Sequence, residues 1–290
     1  MLAAACVGGW LSITPPEALG ASAVQACAEL EAGPTRSVTR VVDGETLALD
    51  DGTELRLIGV LAPRAIDVGT VPGTWRMELA TVEALQGLVL GRTIEIRFAG
   101  ERRDRYGRLK GHAFLAAADG TTWVQSRLLE LGLARAYVPA VHRACEAELL
   151  TAEQAAREAR SGVWAEAAYA VRSADAPATL LRHAATFQVV EGRVTDVATT
   201  RGSIYLNFGE GRRRGFSASL RLGDRARLGR FSDNPKGLEQ ALVRVRGWIV
   251  DRAGQPAIDL TAAGSVEVIA EADVSDPTGG RRAERRPRPK

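Results

Sequence analysis

The stretch 97–110, RFAGERRDRYGRLK, carries six positive and two negative side chains, with Tyr106 among them. Guanidinium groups grip phosphate oxygens through paired donors, and a ring beside them can stack on a base. The plainer alternative is an arginine-rich hairpin in an arginine-rich chain. A second juxtaposition sets Tyr205 and Phe208 just before Arg212, Arg213 and Arg214. It reads equally as a nucleic-acid face or as a barrel used for packing or protein contact. His112, His142 and His183 are scattered, and their positions predict structural or surface roles. No Cys/His metal cluster and no phosphate-cradling glycine loop is present.

The elements that must position these groups are legible as patterns. From Ser37, SVTRVVDGETLALDDGTELRLIGV alternates apolar residues around Asp-Gly turns at 43–44 and 51–52, a meander of antiparallel strands. Residues 77–90 have helical spacing, with Leu79, Val82, Leu85 and Leu88/Val89 on one face. Strands are expected at 93–98 and 109–116, helices at 122–131 and 146–160, and an extended piece at 133–138. Residues 166–186 read as a linker. A β-rich block follows over 187–272, and its strand number suits a small barrel of the oligonucleotide/oligosaccharide-binding (OB) type.

Four segments in register carry a resemblance: VVDGETLALDDGTELRLIGVLAPR, DRYGR at 104–108, LLELGLARAY at 128–137, and ELLTAEQAAREARSGVW at 148–164. Together they resemble the staphylococcal-nuclease-like (thermonuclease) family over residues 37–165. The resemblance implies a five-stranded OB barrel carrying three helices, and calcium-dependent hydrolysis of DNA and RNA phosphodiesters. It also implies that Arg56 and Arg108 clamp the phosphate, as guanidinium forks are shaped to do.

The carried-over site departs from the family at three positions. Glu45 stands where the family's DGDT motif has a calcium-binding aspartate, and it remains an oxygen donor one methylene further out. Where the family reads D-[TA]-P-E, this chain reads Leu61-Ala62-Pro63-Arg64. A metal-ligand aspartate has become leucine, and the general base has become arginine. At the matched positions one carboxylate, Glu45, faces Arg56, Arg64 and Arg108, a net +2 that attracts phosphate and repels calcium. By this arithmetic, Leu61→Asp with Arg64→Glu is expected to restore some calcium dependence. No cofactor is expected, and Ca²⁺ only if Asp67 or Asp104 joins Glu45 in a rearranged site. Plainer alternatives are surface ion pairs of Arg56 with Glu45 and of Arg108 with Asp104, and Glu45 as a simple turn residue.

The 290 residues suggest two domains, and their 46% hydrophobic content excludes a wholly disordered chain. No apolar run reaches the ~18–20 residues of a membrane-spanning helix, so the mature chain is expected to have no integral membrane segment. Net charge is +3, but the basic tail RRAERRPRPK alone holds +5. The body is therefore near neutral, and any pull on a polyanion must come from local patches. Residues 273–290 read as a disordered basic tail. Residues 1–26 resemble a secretory signal lacking a basic n-region, which predicts a periplasmic or secreted protein. Export would leave Cys27 and Cys145, an even pair for a disulfide, against the alternative of two unrelated cysteines.

The expectation is thus an α+β protein of two OB-type barrels, one nuclease-like and one small. It binds nucleic acid or a phosphate-containing ligand through Arg56, Arg64, Arg108 and Tyr106, with calcium-dependent activity lost or much reduced. Two alternatives are an active phosphodiesterase with a rearranged metal site and an envelope structural or interaction protein. The sequence specifies no oligomeric state.

Overall fold

The computed structural model describes residues 27, 30–117, 120–209 and 215–271. The expected signal at 1–26, the arginines at 212–214 and the tail at 273–290 lie outside the described residues.

The first unit runs β1 (Glu31–Asp43), β2 (Thr46–Leu49), β3 (Glu54–Leu57), β4 (Gly59–Leu61), α1 (Arg76–Val89), β5 (Thr93–Phe98), β6 (Leu109–Ala117), β7 (Gly120–Trp123), α2 (Val124–Glu130), β8 (Arg135–Pro139) and α3 (Glu146–Glu158). The Asp-Gly turns fold β1, β2 and β3 into the expected meander. Alternation sends Val38, Leu47, Leu49, Leu55 and Leu57 inward, where Ile94, Ile96 and Phe98 of β5 meet them. β1 begins at Glu31, earlier than its pattern suggested. Its first half pairs with β5 and its second half with β2, with a register shift inside each pairing. Bulges of this kind bend a strand around a barrel. A parallel β3–β6 pairing closes the sheet β1-β2-β3-β6-β5 into a five-stranded barrel.

Helix α1 shows the face Met77, Thr81, Leu85 and Val89 to the core. Leu79, expected on that face, is exposed. Thr81 carries the inward position instead, because its hydroxyl donates to the Met77 and Leu133 carbonyls at 2.9 Å each. A hydroxyl satisfied in this way can be buried at little cost. The helix expected at 122–131 starts at Val124, since Thr122 and Trp123 belong to β7.

The second unit runs β9 (Arg172–Ser173), α4 (Pro177–Leu181), β10 (Phe187–Thr199), β11 (Ser203–Phe208), β12 (Ser217–Arg221), β13 (Leu242–Asp251), β14 (Pro256–Asp259), β15 (Ala262–Ala263) and β16 (Val266–Ala270). A β10–β13 pairing closes β10-β11-β12-β14-β13 into a second five-stranded barrel. Each barrel follows the same path: first, second, third, fifth and fourth strand, with third and fifth parallel. This is the OB arrangement expected for both units.

Residues 166–186 differ from the free linker expected of them. Tyr169, Ala174 and Leu180 are buried, and β9 pairs in parallel with β10. The alanine-rich composition hides these three anchors. The barrels are joined further by β15 against β8, and by a shared core of Leu61, Met77, Trp164 and Tyr169 with Phe187 and Val189. Cys27 and Cys145 form a disulfide with their Cα atoms 5.2 Å apart. It ties the start of the described chain to the residue that opens α3. Among the described residues, no helix is long and apolar enough to cross a membrane.

Candidate functional site

The β1–β2 turn brings Glu45 beneath the chain that leaves β4. Gly44 permits this approach, since a Cβ there would stand 2.7 Å from the Ala62 Cβ. Glu45 is 3% exposed. Its Oε1 accepts the Ala62 N–H at 2.7 Å, and its Oε2 pairs with Arg56 Nη2. β2 and β3 hold that pair in register, with Thr46 opposite Arg56. Arg56 Nη1 also reaches the Thr46 hydroxyl at 3.5 Å.

Burial pushes the Glu45 carboxyl up to about 7 from its ordinary 4.5, against the opposing pull of Arg56 and the Ala62 N–H. The folded chain therefore holds this proton more tightly than the unfolded chain does. The stabilisation it brings is complete below about pH 4.5 and is lost as pH rises through about 7. At ~1.4 kcal/mol per pKa unit, the loss between pH 5 and pH 8 should approach about 3 kcal/mol. Urea denaturation of the protein and of Glu45→Gln at both pH values checks this. The difference between the two proteins should shrink toward acid; a pH-independent difference would remove Glu45 as the cause.

Arg108 ends the turn after β5. Asp104 shapes that turn, its Oδ1 accepting the Tyr106 and Arg108 N–H groups at 2.9 and 3.0 Å. Its Oδ2 accepts Arg108 Nε at 2.7 Å. The terminal amino groups of Arg108 make no hydrogen bond among the described residues. Tyr106 is 68% exposed, with the guanidinium carbons of Arg105 and Arg108 4.8 and 5.3 Å from its ring centre. Three other cations of the stretch are in ion pairs, Arg97 with Glu95, Arg102 with Glu31 and Lys110 with Glu101, while Arg103 donates to the Gly107 carbonyl and Arg105 to the Tyr106 hydroxyl.

Arg64 donates to Asp67 Oδ1 at 3.0 Å, while Asp67 Oδ2 accepts the Tyr169 hydroxyl at 2.6 Å. Buried Arg135 stands 3.8 Å from the same carboxylate, lies over the Tyr169 ring, and donates to the Phe187 carbonyl at 2.6 Å. Asp67 is thereby built into the contact between the barrels.

Arg56 and Arg64 both act on Glu45, and Asp43 acts on both Glu45 and Arg108. The carboxylates do not converge. Glu45 holds Arg56, Asp104 holds Arg108, and Asp67 holds Arg64. The ion pairs offered as the plainer alternative for Arg56 and Arg108 are thus both formed. The +2 counted at the matched positions is also offset locally, because Asp43, Asp67 and Asp104 stand beside those arginines. Asp43, first acid of DGET, is the residue sequence reasoning passed over. Its Oδ1 caps the turn by accepting the Glu45 N–H at 2.8 Å.

Among the described residues, the one cluster of metal-ligand type is Cys27, Cys145 and Glu148, whose sulfurs are already bonded to each other. His112 is a core residue whose ring meets Trp123 edge-on at 5.3 Å, and burial pulls it down to about 3. Phe208 faces the second core and is not available for stacking.

The family model described as staphylococcal nuclease homologue matches residues 54–166, which include Arg56, Arg64 and Arg108 but begin after Glu45. No curated protein matches the chain. Residues 54–166, which hold the later strands of the first barrel and all three of its helices, are thus similar to staphylococcal nuclease homologues, a match that covers less than half of the chain.

Proposed function

We propose that the first barrel binds nucleic acid or a related phosphate ligand through Arg56, Arg64 and Arg108, with Tyr106 as a stacking ring. Its calcium-dependent hydrolysis is lost or much reduced. The observation that carries this reading is the dispersal of Glu45, Asp67 and Asp104 onto three different guanidinium groups. Calcium takes six to eight oxygens, and a rearranged enzyme needs these carboxylates on one ion. The residues present do not fit that shell. At the general-base position Arg64 cannot accept a proton, and a missing base alone costs ~10²–10⁴ in rate.

What remains suits an anion. Arg56 and Arg108 are about a third exposed and held in place by carboxylates. Preset guanidinium groups lose little freedom when a phosphate arrives. The Cys27–Cys145 bond supports a site of action in the periplasm or outside the cell, where disulfides persist.

Fluorescence anisotropy of a labelled oligonucleotide, read in EDTA, tests the binding. Arg56→Ala and Arg108→Ala should each weaken it by about 1–3 kcal/mol, the scale of a charge-assisted hydrogen bond. Affinities equal to that of the unaltered chain would remove the first barrel from the interface.

A further inference from the structure

The second barrel carries a cleft of about 380 Å³ on its outer surface, over β11, β12 and β14. Register builds its floor. Tyr205 lies opposite Ser219, and Ser219 opposite Asp259, so the three form one row across three strands. Ser203 and Arg221 form the next row. The alternate residues Ile204, Leu206, Ala218, Leu220 and Ile258 fill the core, which fixes the row outward. The floor is thus one aromatic ring among short hydroxyl side chains.

Arginines supply the rim. Arg227 donates to the Leu260 carbonyl at 2.7 Å and sits 3.3 Å from Asp224. Arg252 donates to Asp259 at 2.6 Å, and Ser219 donates to the same oxygen at 2.8 Å. Arg221 is exposed and makes no ion pair among the described residues. Exposed Arg201 and Arg225 lie within two residues of cleft-lining positions in the chain, and the backbone bond from Leu222 to the Gly202 carbonyl ties the two segments together. Among the described residues lining the cleft, three arginines stand with two aspartates around one large ring, Tyr205.

We infer that this face of the second barrel is a separate single-stranded nucleic-acid site, with a base stacked on Tyr205 and the adjoining phosphate on Arg221. A half-buried ring lining the cleft, beside a guanidinium with no ion pair among the described residues, suits a strand whose bases are free, since a duplex keeps its bases inside. The inference shares with the first-barrel reading the premise that the protein engages nucleic acid, but it rests on different residues.

Anisotropy of a labelled oligothymidylate with the full chain tests it. Tyr205→Ala should weaken binding about tenfold to a hundredfold, the scale of one lost base stack, and Tyr205→Phe should keep it. Arg221→Glu should weaken it and flatten the salt dependence by about one contact or more. Should Tyr205→Ala fail to fold, exposed Arg221→Glu and conservative Tyr205→Phe still decide. Wild-type affinity in both Tyr205→Ala and Arg221→Glu overturns this site while leaving Arg56 and Arg108 to be judged by their own variants. Loss at Tyr205 and Arg221 without loss at Arg56 and Arg108 supports this site and overturns the first-barrel reading. No oligothymidylate binding by the unaltered chain, or heparin binding in its place, overturns this site, while the first-barrel reading is judged by its own variants.

Discussion

Arg246→Met is expected to destabilise the protein by about 3–5 kcal/mol, the usual result of removing one partner from a buried ion pair. Arg246 is 2% exposed, on β13 of the second barrel. It donates to Glu153 Oε2 of α3 at 2.7 Å and to the Ala136 carbonyl of β8 at 3.2 Å, both in the first barrel. It also pairs with Glu267 of β16. Burial works against its charge, but Glu153 and Glu267 more than compensate and hold it protonated. Glu153 is wholly buried and keeps only Arg157 at 2.9 Å and the Ala136 N–H at 3.1 Å once Arg246 is gone. Urea denaturation followed by tryptophan fluorescence measures the loss. Adding Glu153→Leu should recover part of it, because a charge left buried without its partner causes much of the penalty. A loss below about 1 kcal/mol, typical of a surface pair, would mean that the network does not hold the barrels together.

The double variant Leu61→Asp with Arg64→Glu is expected to lose stability and gain no calcium dependence. Charge arithmetic on the sequence pointed the other way, since it brings the matched site to three carboxylates against two arginines. Packing decides the matter. Leu61 is 5% exposed and packs into the core shared by Met77, Trp164 and Tyr169 with Phe187 and Val189 of the second barrel. A carboxylate there loses its water, and the guanidinium of Arg135, opposite Leu61 on β8, is already engaged by Asp67 and the Phe187 carbonyl. The change at Arg64 also sets a glutamate beside Asp67, whose remaining partners are Tyr169 and Arg135. A loss on the order of 3 kcal/mol or more is expected from denaturation, with cleavage in calcium no faster than in EDTA. Wild-type stability together with calcium-stimulated cleavage would show that Leu61 still faces the site. The same packing supplies a reason for the leucine, which closes the seam against the second barrel where an aspartate would be desolvated.

Much of both barrels was legible because local signals agree. Asp-Gly turns, period-two alternation and the glycine after α1 all mark the same boundaries. The Cys27–Cys145 pairing followed from their number and the expected compartment. The contact between barrels was not legible. β15 is two alanines, with no alternation to read. Glu153 and Arg157 look like an exposed i,i+4 pair until β13 and β16 cover them. The fate of Asp67 depended on Tyr169, inside a segment whose composition suggested a linker. At the site, the hairpin spacing placed Glu45 near Arg56, but burial of that glutamate depends on the return of Ala62 over the turn. Such long-range contacts leave no local pattern.

Cleavage of single-stranded and duplex DNA by the purified full chain, in excess calcium and in EDTA, tests the central claim most directly. The same samples are read for oligonucleotide binding. Equal binding in both conditions and no calcium-stimulated cleavage are expected, because Glu45, Asp67 and Asp104 are each held by a different arginine. Calcium-dependent cleavage that Glu45→Ala abolishes would contradict it in favour of an active phosphodiesterase.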